Sequence, residues 1–200
     1  MDREAEKNMT VAHLLAEHRQ ILVAVERLES LVAGPRPDRV DGLSRKRWAF
    51  TRDLLLHFTH VEAWVHAPLL ADTRAEAVRA AHVSRDETAR LIADFRGHTA
   101  RWYGFPAAGQ WGEYGLVVDD LMGRIRARLT AQVRALYPLL PARPRASAVT
   151  PQPLSYAAGA WEIRQLIYGK DGAPIVEQSD EPAPWAHFER HEAAFGTSPA

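Results

Sequence analysis

The sequence predicts an all-α protein, an antiparallel four-helix bundle over residues 1–140 with a proline-rich C-terminal extension. Three observations carry this. Apolar residues recur at three- and four-residue steps through four long segments, the breaks between them are short and rich in Gly and Pro, and nine of the 13 prolines fall at or beyond Pro138. With 46% apolar residues, the 200-residue chain can bury a sizeable core.

In the first segment, Val11, Leu14, Leu15, Ile21, Leu22, Val25, Leu28 and Leu31 mark an amphipathic helix over Thr10 to Val32, stopped by Gly34-Pro35-Arg36-Pro37. A second helix opens at Asp41 or Ser44 and runs to about Leu70. Thr73 and Glu76 read as a capping box for a third helix reaching about Tyr103. The loop from Gly104 to Gly112 leads to a fourth helix from about Glu113 to Tyr137, closed by Pro138. Residues 141–153 read as a linker and 154–200 as an extension. Within the extension, Ile163 to Tyr168 and Ile175 to Gln178 around Gly169-Lys-Asp-Gly172 suggest a β-hairpin, with a fifth helix over Leu154 to Tyr168 as the alternative. A short helix is expected around Trp185 to Phe195.

Composition narrows the function classes. Acidic and basic residues balance at 25 each, so neither nucleic acid nor an anionic membrane is an expected partner. No apolar run reaches membrane-spanning length and the first residues lack a secretion signal, so a cytoplasmic protein is expected. Without cysteine, thiolate chemistry is excluded and any metal must rest on His, Asp and Glu. Twenty-two Arg against three Lys suggests a GC-rich bacterial genome.

An internal repeat links the second and fourth helices. LLLHFTHVEAWVHAPLL (Leu54 to Leu70) and IRARLTAQVRALYPLL (Ile125 to Leu140) superpose, matching Phe58 with Arg128 and Glu62 with Gln132. Together with His18 in LLAEHRQI and His82 in AAHVSRDE, this layout resembles the hemerythrin-like (HHE cation-binding) family over about residues 10–140. The resemblance implies a site for two non-haem irons, held by one histidine each from helices one and three and a His-x-x-x-Glu pair each from helices two and four. It also implies roles in dioxygen binding, oxygen or nitric oxide sensing, peroxide handling or iron storage. Carried over, His18, Glu62 and His82 match ligand positions, while Phe58, Arg128 and Gln132 replace ligands. A second register aligns HFTHVE with the family's HFxxEE phrase, making His57 the matching histidine and Val61 the lost glutamate. The helical wheel favours the first register, because Leu55, Phe58, Val65 and Leu69 share the face of Glu62.

The expected site is therefore a polar pocket of His18, Glu62, His82, Arg128 and Gln132 beside Phe58, with His66 and Asp86 as displaced metal ligands. It would hold one iron or other divalent metal, a small-molecule ligand, or no metal if a Glu62–Arg128 ion pair replaces it; a complete di-iron centre is not expected. Two other functions stand beside this. One is a metal-independent enzyme with His18 or His82 as proton carrier and Arg128 as anion clamp. The other is a structural or interaction module whose C-terminal extension docks a partner or a second copy of the chain. His187 and His191 in HFERHE have metal-binding spacing but read as exposed, and His13, His57, His60 and His98 read as surface or packing residues.

Overall fold

The computed structural model describes residues 3–37, 41–102, 106, 108–140, 163, 164 and 167. These residues are helical or in short connections, and no strand occurs among them. Four long helices dominate: α1 (Arg3–Val32), α2 (Asp41–Val61, continuing through a π turn at Glu62–His66 into Ala67–Leu70), α3 (Ala75–Arg101) and α4 (Trp111–Ala131, continuing through a π turn at Gln132–Leu136 into a 3-10 turn at Tyr137–Leu139). The fourth helix thus starts two residues earlier than its sequence pattern suggested, after a 3-10 turn at Ala108–Gln110.

Each helix buries one stripe. On α1 the stripe is Leu14, His18, Ile21, Val25, Leu28 and Val32, spaced by alternating steps of three and four. On α2 a broad face is buried, from Leu43 and Arg47 through Phe50, Leu54, His57 and Val61. On α3 the stripe begins with the small residues Ala77, Ala81, Ser84 and Thr88 before widening to Leu91 and Phe95. On α4 it runs from Trp111 and Tyr114 to Ile125, Arg128 and Gln132.

α1 packs on α2 and α4, and α3 packs on α4 and on the π turn and last turn of α2. Contacts between α1 and α4 run in opposite senses: Trp111 donates its indole N–H to the Gly34 carbonyl at 2.9 Å, Arg126 pairs with Glu29, and Gln132 meets His18. Gly115 allows this approach, because a Cβ there would lie 3.3 Å from the Val32 carbonyl oxygen.

Apolar burial separates into two clusters. The larger includes Ile21, Leu54, Phe58, Phe95, Ile125 and Leu129; the smaller includes Leu14, Val61, Leu69, Ala81, Leu136 and Tyr137. Buried polar side chains from all four helices occupy the level between them: His18, His57, His66, Ser84, Arg128 and Gln132. The two π turns sit at this level, at the two ends of the repeat's Glu62–Gln132 correspondence, so the repeated sequences share a backbone irregularity.

Two sequence expectations need correction. The third helix is not opened by a Thr73–Glu76 capping box: its N-cap is Arg74 with no side-chain cap, and the Asp72 carboxylate accepts the Arg74 backbone N–H at 2.8 Å. The hairpin does not hold at Ile163, Arg164 and Ile167, which are helical, in line with the alternative of a fifth helix. Ile163 and Ile167 are one helical turn apart and both bury in the larger apolar cluster. The remaining residues of the linker, the hairpin and the terminal helix, with His187 and His191, lie outside the described residues.

Candidate metal centre

α1, α2 and the end of α4 bring four side chains to one point. His18 Nε2 lies 3.0 Å from His57 Nε2, and each nitrogen lies 3.1 Å from Gln132 Oε1. The Tyr137 hydroxyl is 3.0 Å from His18 Nε2. The π turn at Gln132–Leu136 separates Gln132 from Tyr137 by an enlarged helical turn, and both side chains reach His18.

Proton positions follow from the partners. His57 Nδ1 donates to Glu17 Oε2 at 2.9 Å, because a carboxylate only accepts, and a ring carrying its one proton there presents a bare lone pair at Nε2. Burial raises the Glu17 carboxyl, but donation from His57 and His60 outweighs it and holds the group at about 2, fully ionised. Burial and the neighbouring His57 lower His18 from 6.5 to about 4, so it is neutral near pH 7. Burial and the Glu17 charge push the Tyr137 phenol up, which keeps it a neutral O–H donor. If that hydroxyl donates to His18 Nε2, the single lone pair of that nitrogen is taken, and two acceptors, His57 Nε2 and Gln132 Oε1, face each other beside it. If His18 Nε2 instead carries a proton, that one proton has three acceptors around it, and His57 Nε2 still opposes Gln132 Oε1. Gln132 Nε2, the donor that could relieve this, is buried with no partner.

A second buried chain crosses from α2 to α4. Arg128 donates to Ser84 Oγ at 2.9 Å, Ser84 donates to His66 Nε2 at 2.9 Å, and His66 Nδ1 donates to Glu62 Oε2 at 2.8 Å. The His66 hydrogen bond, opposed by burial, lowers the Glu62 carboxyl. Glu62 also pairs with Arg85 at 2.9 Å, and Arg128 pairs with Glu87.

The sequence-predicted site therefore divides. His18 and Gln132 meet; Glu62 and His66 form a pair that Ser84 connects to Arg128; Phe58 packs in the apolar core with its ring 5.8 Å from that of His57. The expected Glu62–Arg128 ion pair is absent, since Glu87 and Arg85 on α3 take the two charges. His82 and Asp86 are exposed, because the buried stripe of α3 runs through Ala81, Ser84 and Thr88, and residues one or two steps off that stripe turn about 100° or more away. His57, read as surface or packing, is fully buried in the cluster. Glu17 and Tyr137 escaped the sequence reading. Their signals were adjacency to His18 and the repeated Pro-Leu-Leu ending, neither of which specifies a partner.

No family model matches this chain, no curated protein matches it, and no solved structure matches it.

A groove of about 460 Å³ between α1 and α4 reaches His18, lined otherwise by apolar side chains such as Leu15, Leu22, Leu129 and Val133 together with Arg19 and Thr130. On the outer side of Glu17, the ligand atoms of His13, Glu17 and His60 lie within 4.8 Å of one another and could hold a metal ion. No described helix is long and apolar enough to cross a membrane.

Proposed function

We propose that the chain is a hemerythrin-like antiparallel four-helix bundle whose interior holds a single divalent metal ion on His18, His57 and Gln132. The observation that carries this is the triangle of two imidazole nitrogens and one amide oxygen with edges of 3.0–3.1 Å. Such edges equal the spacing of cis ligands around an octahedral ion with bonds of about 2.1–2.2 Å, and a face of three protein ligands leaves further positions open. Four-coordinate tetrahedral geometry would need bonds of about 1.9 Å, shorter than metal–imidazole bonds allow. The carboxylate of Glu17 behind His57 supports the reading, because ligating histidines ordinarily donate their second N–H to such a group.

The residues fit one ion and not two. In the first register Phe58 and Arg128 stand where further histidines would be needed, in the second Val61 stands where a glutamate would be, and the Arg128 guanidinium would repel a second dication. A redox-active ion here would supply one-electron chemistry to a small molecule. The protein's share is to admit a small ligand along the groove that reaches His18 and to hold His57 in one tautomer through Glu17. Turning the Gln132 amide over would instead place its N–H groups against the imidazoles, which is the metal-free arrangement.

Elemental analysis of protein dialysed into metal-free buffer tests the reading. One divalent ion per chain is expected, absent from His18→Ala and His57→Ala, and retained by Gln132→Glu with its stronger ligand oxygen. Two irons per chain, or a metal content indifferent to His18→Ala, would overturn it.

A further inference from the structure

The structure assigns a second role to the outer oxygen of Glu17. We propose that His13, Glu17 and His60 form a separate surface site for a borderline divalent ion such as zinc or copper(II). The ion would be bound through Glu17 Oε1, while Glu17 Oε2 stays on His57.

His13 and Glu17 are four residues apart on α1 and so share a face, with His13 Nε2 3.2 Å from Glu17 Oε1. His60 comes from α2, its Nδ1 2.5 Å from the same oxygen. Two histidines and a carboxylate from two helices make a ligand set that suits zinc, copper or nickel over magnesium or calcium, and three protein ligands leave a position for water or substrate. The site is supported and accessible. Trp64, itself exposed, stacks on His60 with ring centroids 4.3 Å apart and meets His13 edge-on at 5.4 Å, so both imidazoles are held beside Glu17. His13 is exposed and His60 and Glu17 are partly so, which gives an ion a route in and lets the rings move apart from their present hydrogen-bonded spacing. The two Glu17 oxygens point to different places, one to the surface imidazoles and one to His57, whose other nitrogen faces the interior triangle.

The test keeps the two sites apart by using His18→Ala, which removes an interior ligand and leaves the surface set untouched. Chelator-treated His18→Ala protein is titrated with zinc by calorimetry, and with copper(II) while Trp fluorescence is followed. One ion per chain and saturable quenching of Trp64, lost in Trp64→Phe, are expected. Adding His13→Ala or His60→Ala should weaken binding about tenfold or more, and circular dichroism should confirm that these variants remain folded. No binding by the His18→Ala protein, or binding unchanged in the His13→Ala and His60→Ala combination, would overturn the proposal. Failure of the interior site would appear in the wild-type metal content and leave this titration unaffected.

Discussion

Ser84 shows how much can hang on one small side chain. Its hydroxyl accepts from Arg128 and donates to His66, so a single oxygen satisfies two buried groups from α2 and α4. Replacing it by Ala leaves a buried imidazole nitrogen and a guanidinium N–H unpaired, and the expected loss is about 1–3 kcal/mol in urea unfolding. A loss below about 0.5 kcal/mol would mean that water enters the layer and replaces the hydroxyl. The Arg128–Glu87 pair is expected to contribute less, because Glu87 is half exposed and solvent screens its charge. The same reasoning explains why Glu62 was misjudged from sequence. It lies at the rim, held by His66 and Arg85, where an ionised carboxylate needs no dry partner.

At the scale of elements, the π turns decide which side chains reach the interior. Each widens a helix by one residue's worth of turn, and in α4 this lets both Gln132 and Tyr137 point at His18. Deleting Val133, an exposed residue inside that turn, should restore regular α-helix and leave Gln132 and Tyr137 four residues apart, still on one face. Helical circular dichroism and affinity for the interior ion should therefore both persist. A loss of affinity of about tenfold or more would show that the wide turn itself, and not the shared face alone, positions the site. A helical wheel with a constant 100° step cannot register such a turn, which is why Tyr137 was not placed beside His18 in advance.

On the scale of the whole molecule, the polar layer lies between two apolar clusters, and the fold rests on those clusters. Residues far along the chain contribute: Ile163 and Ile167 are almost fully buried in the larger cluster, and Ile167 also lines a small cavity with Phe50, His98 and Tyr114. Truncating Ile167 to Ala should cost about 2–5 kcal/mol, read as a lower midpoint in denaturant at unchanged slope. A cost near zero would show that this part of the chain is not integral to the core.

The sequence by itself determined the helices and their order, because three- and four-residue apolar spacing is a local property and Gly-Pro breaks act on the backbone where they stand. It also marked His18 and Gln132, whose places on apolar stripes make them interior whatever lies opposite. Only the tertiary structure decided their partners. Whether His57 or Phe58 is buried is not a choice α2 has to make, since a helix flanked on two sides buries a face wide enough for both. Whether Arg128 meets Glu62 or Glu87 depends on how far α3 stands from each, and the small residues Ala77, Ala81 and Ser84 bring it close. Pairings between side chains on different helices are set by interhelical distance and rotation, quantities to which no spacing within one helix gives access.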